Sequence, residues 1–352
     1  MVQTPVLLKY SLIILCIFCM YGNSIALQKL PEEMHNGILL VTEYVYRDDL
    51  PAAESEAKKL IRRFPDHPVG YFCMAFVADS WMARFQANDK EDVFYRYCDL
   101  AIEKGEKLLS NGKQVEWAKF FMGGADGYKG TYEFRYERWI TAFRYGWKGV
   151  SVLLELEKAG CGIQDVYYGI GSYNYWRSAL IKLLWWMPGI EDKRQLGIEQ
   201  LFKARRESIY SKTWASIALV DILLNENRYE ETLKITEEEL ERYPKNIFFL
   251  WGKARALAGL HQHEEAITLL RQLIAATEND EYDNHYNTTL YRLQCARILF
   301  EEKKYIQVIA ECNIINSFLL HPTVKKRLEG LLNEVKNLSK QSLQQMFKEK
   351  IE

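Results

Sequence analysis

The feature that most constrains the fold is a residue pattern that recurs after 34 positions. Residues 224–232 run from the end of an apolar stretch through a polar turn to an aromatic residue, Tyr229. Residues 257–266 follow the same order, and His263 lies 34 residues after Tyr229. A repeat of this length predicts a helix–turn–helix unit that buries its apolar face only against neighbouring copies. The sequence therefore indicates a stack of helix pairs.

Two further copies extend the pattern. One runs from Leu299 through its aromatic residue, Tyr305, and follows a polar insertion at residues 279–284. The other lies near the N-terminus, where Leu50 and Pro65 are separated by the same 15 residues as the aromatic residue and the proline of the first copy. Six residues define the repeat register: Ala53, Pro65, Tyr229, Pro244, Ala266 and Tyr305.

These segments resemble the tetratricopeptide-repeat family. The resemblance implies an all-α, TPR-like α-solenoid, a right-handed superhelix of antiparallel helix pairs. In that family a small residue lets the paired helices approach, the aromatic residue packs beneath it, and a proline ends the second helix. The chain departs from the family pattern near its usual glycine, where the repeats carry other residues: Val41, Val220, Ala254 and Ala296.

The first 26 residues have the order of a secretory signal peptide. Lys9 is their only charged residue, residues 12–21 are apolar, and small residues precede a cleavage site after Ala26. The alternative, a membrane span, needs about 20 apolar residues. We therefore expect export and a periplasmic or otherwise extracytoplasmic location.

Five cysteines follow the predicted signal peptide: Cys73, Cys98, Cys161, Cys295 and Cys312. Their odd number and wide spacing argue against a disulfide scaffold or a zinc site. We expect most of them in the core, with a single bridge between Cys295 and Cys312 as the alternative.

The middle of the chain, residues 69–190, is rich in aromatic residues and lacks a clean copy of the repeat. Six rings recur at steps of three and four, which predicts one helical stripe: Tyr128, Tyr132, Tyr136, Trp139, Phe143 and Trp147. The stripe either packs against neighbouring helices or lines a concave groove with arginines at its edge. Glycines at 123, 124, 127 and 130 predict a tight helix crossing or a kink.

Residues 165–207 resemble a segment of exported bacterial repeat proteins of unassigned role. They are also similar to the middle of the eukaryotic inclusion-body-clearance family, which is associated with lipid-rich organelle surfaces. Trp185 and Trp186 end the most apolar part of this segment. They belong either to a core helix or to a contact with lipid or protein. The predicted partner-binding residues are Tyr132, Arg135, Arg138, Arg144, Tyr173, Trp176, Trp185 and Trp186.

The sequence has none of the common catalytic motifs, and we predict no catalytic residue, no metal and no cofactor. His261 and His263, followed by two glutamates, come nearest to a metal cluster, but a predicted turn usually carries solvated polar residues. The net charge of −1 gives no electrostatic footprint for nucleic acid.

We therefore expect a signal peptide (1–26) and one α-solenoid (27–352). The solenoid divides into a TPR-like pair (33–68), divergent aromatic helices (69–190), TPR-like repeats (191–322) and a polar capping helix (323–352). The predicted function is non-enzymatic binding of a protein or peptide on the concave face, in a cell-envelope assembly. The alternatives are binding of an apolar small molecule or lipid through the aromatic middle, with contact to a membrane surface, and an enzyme of an unfamiliar kind.

Overall fold

The computed structural model describes residues 29–182, 191–278 and 280–349. The predicted signal peptide lies outside these ranges. The described residues form sixteen α-helices and no strand. In chain order the helices are α1 (Glu32–Tyr46), α2 (Leu50–Arg63), α3 (Pro68–Phe85), α4 (Glu91–Ser110), α5 (Val115–Arg135), α6 (Trp139–Lys158), α7 (Val166–Lys182), α8 (Arg194–Glu207), α9 (Lys212–Asn225), α10 (Tyr229–Arg242), α11 (Ile247–Gly259), α12 (His263–Glu278), α13 (Tyr286–Glu301), α14 (Tyr305–Ser317), α15 (Pro322–Arg327) and α16 (Glu329–Glu349).

The helices pack in adjacent pairs, which confirms the predicted all-α, solenoid-like fold. Each helix from α1 to α13 packs against the next one along the chain. The first helix of each pair also contacts the first helix of the next pair, from α1 through α3, α5, α7 and α9 to α11. We call these helices, together with α13, the first-helix layer. Because this layer is covered on several sides, α9 and α11 are apolar along most of their length.

The predicted register residues occupy matching places in their pairs. Ala53 and Ala266 are fully buried. Helices α2 and α10 end two residues before Pro65 and Pro244, because proline cannot continue the hydrogen-bond ladder of a helix. Tyr229 lies against Gly259 of the following pair, where an added Cβ atom would be 2.5 Å from the tyrosine ring. Tyr305 begins α14 and is 9% exposed.

Five turns within helix pairs share one backbone geometry. Each has a non-glycine residue in the left-handed region, with φ between 56° and 65°, two positions before the second helix begins. These residues are Asp48, Glu137, Asn227, His261 and Lys303. The repeated conformation explains why the sequence pattern has a constant spacing between the turn and the second helix.

The turn at Glu137 shows that the prediction of one helical aromatic stripe was wrong. The amide of Arg138 donates to the carbonyl oxygen of Glu133 at 2.9 Å, as Arg228 does to Leu223 at 2.8 Å in a regular repeat. The turn divides the six rings, so that Tyr128 and Tyr132 belong to α5, Tyr136 to the turn, and Trp139, Phe143 and Trp147 to α6.

Helices α5 and α6 cross in backbone contact through their glycines, which confirms the expected tight crossing. A Cβ atom added at Gly130 would lie 2.8 Å from the amide nitrogen of Gly146. Helices α7 and α8 cross in the same way, because a Cβ atom at Gly197 would lie 2.6 Å from the carbonyl oxygen of Gly171. Only residues without a side chain allow such close approach.

Two parts of the first-helix layer contact each other: α1 and α3 lie against the starts of α9 and α11. The ring of Tyr46 in α1 lies 6.2 Å from Trp214 and 5.4 Å from Tyr243. The side-chain amide of Asn246, whose carbonyl oxygen caps α11, donates to the carbonyl oxygen of Tyr46 at 3.0 Å. Phe76 in α3 contacts Trp214 at 5.5 Å. The inner surface between these helices is therefore buried within the chain.

The polar insertion of the sequence also joins these two parts. Arg84 at the end of α3 pairs with Asp48 at 2.9 Å and with Asp280 at 3.3 Å. The amide of Asn284 donates to the carbonyl oxygen of Phe85 at 3.0 Å, and that of Asn287 to the carbonyl oxygen of Arg84 at 2.9 Å. Asn284 of the insertion and Asn287 of α13 thus satisfy carbonyl groups at the end of α3 that have no helical partner.

The C-terminal cap differs from the predicted single helix. Two helices, α15 and α16, are separated at Leu328. Arg327 at the end of α15 donates to the carbonyl oxygen of Gln86 at 2.5 Å, and its guanidinium lies over the rings of Tyr136 and Tyr286. Helix α15 therefore holds the end of the chain against the end of α3.

Candidate binding surface

An apolar face on α6 is the clearest candidate for a functional surface. Trp139, Ile140, Phe143 and Trp147 are 47%, 88%, 56% and 54% exposed. We call these four residues the α6 face. Ile140, Phe143 and Trp147 follow Trp139 by one, four and eight positions, which places all four residues along one side of the helix. Single exposed apolar residues are common on protein surfaces, whereas a contiguous apolar patch is typical of a binding surface.

The opposite side of α6 explains why these residues face outward. Ala142, Val150 and Leu153 are buried, and the glycines at 146 and 149 contact the backbone of α5. This side of the helix is therefore fixed in the core. The rings on the other side contact Phe134 of α5 and Tyr173 of α7.

Rings from α5 and α7 extend the α6 face at its base. Tyr173 lies 6.4 Å from Phe143 and 6.2 Å from Trp147. Burial raises the pKa of Tyr173, so its hydroxyl stays protonated in the neutral range. Phe134 contacts Trp139 at 5.3 Å and Trp176 at 5.4 Å. The predicted residues Tyr173 and Trp176 thus belong to this surface as partly buried support.

Two cations lie beside the α6 face. Arg144 is exposed, and its guanidinium is 5.3 Å from the centre of the Tyr145 ring. Among the described residues, no carboxylate forms a salt bridge with Arg144. Lys148 instead pairs with the buried Asp126 at 3.1 Å. Arg144 is therefore the predicted arginine whose charge remains open to a partner.

The other two predicted arginines form ion pairs with carboxylates of the chain. Arg135 forms a two-point ion pair with the buried Asp79, at 3.0 and 3.3 Å. Arg138 is 44% exposed and pairs with Glu91 at 3.1 Å and Glu133 at 3.2 Å. Both therefore stabilise the contact of α5 with its neighbours.

Tyr132 is fully buried, so the prediction that it contacts a partner was wrong. Its ring lies 5.2 Å from Phe94 and 5.8 Å from Tyr95. The sequence does not distinguish Tyr132 from the exposed rings, because aromatic residues continue at helical steps through the turn at Glu137. Trp185 and Trp186 lie outside the described residues.

A small cavity and an open groove occur among the described residues. A cavity of about 10 Å³ lies among Tyr46, Arg84, Trp214 and Asn246, among other residues. It has room for about one water molecule. An open groove of about 540 Å³ is lined by Leu250, Leu257 and Leu269 and by the acidic residues Glu264 and Glu265, among others. This groove was not predictable from the sequence, because its residues come from several helices.

All five described cysteines are free and buried, so the alternative of a Cys295–Cys312 bridge was wrong. Burial raises the pKa of the Cys73 and Cys295 thiols to about 12 and that of Cys312 to about 11. These thiols remain protonated at neutral pH and act as small apolar residues of the core.

Comparison of the chain with protein-family models finds no match, and neither does comparison with the curated proteins. Within the described ranges, the search for membrane-spanning helices finds none of sufficient length and apolar character.

Proposed function

We propose that this protein is an exported, non-enzymatic scaffold of the tetratricopeptide type that binds a segment of another protein on the α6 face. The proposal keeps the predicted class of partner and moves the contact from the concave face to the outer side of α6. The change follows from the packing of Tyr46, Phe76 and Trp214 against one another across the inner surface.

The observation that carries the proposal is the exposure of the α6 face. Trp139, Phe143 and Trp147 are each about half exposed, although the same helix has a well-packed opposite side. Large rings bury much apolar area while ordering few side-chain torsions, so they dominate the binding free energy of many interfaces. Covering this face with a partner would remove its apolar surface from water.

An amphipathic helix of a partner protein fits the dimensions of the face. Trp139 and Trp147 are eight residues apart, which corresponds to about 12 Å along a helix. A partner helix would place apolar residues of two or three successive turns on this ridge. A carboxylate at its edge would complement Arg144. We therefore expect an apolar segment that carries at least one acidic residue.

The small-molecule alternative needs an enclosed apolar pocket of about 300–1,000 Å³. The cavity of about 10 Å³ beside Trp214 is far below that size. The groove of about 540 Å³ is open to solvent and is lined by residues between 240 and 272, outside the aromatic middle. Contact with a lipid surface uses the same chemistry as the α6 face, because interfacial helices combine Trp and Phe with Arg or Lys. Photo-crosslinking distinguishes a protein partner from a lipid surface.

Site-specific photo-crosslinking tests the proposal. A photoreactive phenylalanine analogue is placed at Phe143 in the full chain, and at Ile306 as a matched control. Ile306 is 72% exposed on α14 and lies apart from the aromatic surface. We expect position 143 to crosslink one protein in the native envelope that position 306 does not, and the crosslink to disappear in a Trp147→Ser background.

Binding to the identified partner then decides the assignment. Trp147→Ala should weaken the purified complex by at least about fivefold, because interface anchors contribute more than about 1 kcal/mol, while Ile306→Ala leaves it unchanged. Crosslinks from position 143 only to lipid would assign the face to a membrane surface instead. Equal crosslinking from both positions would contradict a specific surface.

A further inference from the structure

Two histidines and a glutamate from different helix pairs converge at the turn between α11 and α12. His261 lies in the turn, His263 begins α12, and Glu301 ends α13. One ligand atom from each residue lies within 4.8 Å of the others. The carboxylate of Glu301 is 3.3 Å from Nε2 of His263 and 3.9 Å from Nδ1 of His261.

The backbone of the turn directs both imidazoles to the same side. His261 has a φ of 58°, the left-handed conformation that its pair shares with the other repeats. The rings of His261 and His263 are 5.6 Å apart between their centres. Glu301 follows His263 by 38 residues, so the repeat stacking brings it to the turn. In the sequence only the two histidines are neighbours, and Glu301 is distant. A metal site was therefore not predicted.

The polar atoms of His263 point to a ligand. Its Nε2 is buried and forms no hydrogen bond to a described residue, because the Glu301 carboxylate at 3.3 Å does not have hydrogen-bond geometry. Its Nδ1 faces the carboxylate of Glu302 at 3.4 Å. Lys304 pairs with that carboxylate at 2.7 Å. A carboxylate at one ring nitrogen commonly orients a histidine that binds a metal through the other.

We propose that His261, His263 and Glu301 bind one Zn²⁺ ion, with Glu302 as the positioning residue for His263. Three protein ligands of nitrogen and oxygen leave a fourth, water-filled position in a tetrahedral site. Imidazole ligands favour Zn²⁺ over Mg²⁺ and Ca²⁺, which bind oxygen ligands. Metal–ligand distances near 2.0–2.1 Å separate tetrahedral ligands by about 3.3 Å, so the observed distances require only a small movement of the exposed His261.

The ion would connect consecutive repeats. His261 and His263 belong to the pair α11–α12, and Glu301 belongs to the pair α13–α14. Binding to the folded chain alone stabilises that chain by mass action. The site is separate from the α6 face, so the inference does not depend on the proposed function.

Zinc titration of the tag-free mature chain, residues 27–352, by calorimetry tests the site. We expect one Zn²⁺ per chain with a Kd in the micromolar range or below, and no comparable binding of Mg²⁺. His261→Asn keeps a residue that tolerates the left-handed backbone, and Glu301→Gln changes a side chain that is 55% exposed. Each variant should keep its helical circular dichroism and weaken Zn²⁺ binding by at least about tenfold. This loss is expected because each variant removes one ligand from a three-ligand site.

Two further variants complete the test. Glu302→Gln should weaken binding by about tenfold, the effect expected for a residue that orients a ligand. His321→Gln, at an exposed histidine outside the cluster, should leave the Kd unchanged. The melting temperature of the wild type should rise with Zn²⁺, and that of His261→Asn should not. Absence of stoichiometric binding, or equal binding by all variants, would overturn the proposal, as would equal affinity for Mg²⁺.

Discussion

Gly149 of α6 packs directly on Gly123 of α5, where an added Cβ atom would lie 2.6 Å from the carbonyl oxygen of Gly123. The same atom would lie 2.6 Å from the amide nitrogen of Gly127. Backbone atoms cannot move aside as flexible side chains can. The separation of the two helices is therefore set by the absence of a side chain at this crossing.

This contact predicts opposite effects of alanine at two glycines of the same crossing. Gly149→Ala should lower the free energy of unfolding by about 1–3 kcal/mol, because the helices must separate to accept the methyl group. Gly127→Ala is the control, since a Cβ atom there meets no other atom within 4 Å. It should be neutral or stabilise by up to about 1 kcal/mol through helix propensity. Urea unfolding of both variants checks the difference, and equal losses would contradict this crossing geometry.

The second prediction tests the register of the regular repeats. Ala266 is fully buried, whereas its neighbour Glu265 is exposed. Ala266→Leu should overpack the contact within the pair and lower stability by about 1–3 kcal/mol. Glu265→Leu should change stability by less than about 0.5 kcal/mol. Thermal unfolding of the two variants is sufficient, and similar shifts would show a different register.

The sequence predicted the regular pairs well because their turns have a constant length and their small residues recur. Ala53 and Ala266 could be identified as buried from this spacing alone. The turn at Glu137 was missed because aromatic and charged residues continue through it at helical steps. Local periodicity cannot show that the chain turns back when both flanking segments have the same period.

The candidate sites were harder to predict because they depend on contacts between distant residues. Arg135 and Arg144 look alike in the sequence, but only Arg135 faces a carboxylate, that of Asp79, 56 positions away. Glu301 likewise reaches the turn histidines through stacking of the repeats. A single sequence does not contain the position of such partners.

The third prediction concerns pH. Burial lowers the pKa of His67 from 6.5 to about 4, although a hydrogen bond to Gln114 partly opposes the shift. The unfolded chain therefore binds a proton at this group between pH 6.5 and 4, and the folded chain does not. Neutral His67 therefore contributes at most about 3 kcal/mol to the free energy of unfolding. This contribution is complete above pH 6.5 and is lost as the pH falls towards 4.

The variant His67→Asn isolates this contribution. Asparagine can still cap α3, where the His67 ring now accepts from the amide of Val69 at 3.2 Å. Urea unfolding at several pH values should show a shallower loss of stability in the variant than in the wild type between pH 6.5 and 4. Parallel curves would contradict the role of His67.

The fourth prediction is processing of the exported chain after Ala26. The single positive charge, the apolar run and the small residues before the cleavage site favour recognition by a signal peptidase. Sequencing of the mature protein should find Leu27 as the first residue. Retention of Met1 on a cytoplasmic protein would contradict both the cleavage site and the extracytoplasmic location.

The last prediction separates the two arginines that the sequence did not distinguish. Arg135→Ala leaves the buried carboxylate of Asp79 without its two-point partner and should lower stability by about 3–5 kcal/mol. Arg144→Ala removes an exposed charge and should change stability by less than about 0.5 kcal/mol. The same Arg144 variant should weaken binding of a partner on the α6 face. The carboxylate that we expect on the partner would lose a directional hydrogen-bond donor. Chemical unfolding should show the larger loss of stability for Arg135→Ala, and a binding titration should show the larger loss of affinity for Arg144→Ala. This result is expected if α5 provides structural support and α6 provides the contact surface. A stable Arg135→Ala protein that no longer binds would instead place the partner on α5.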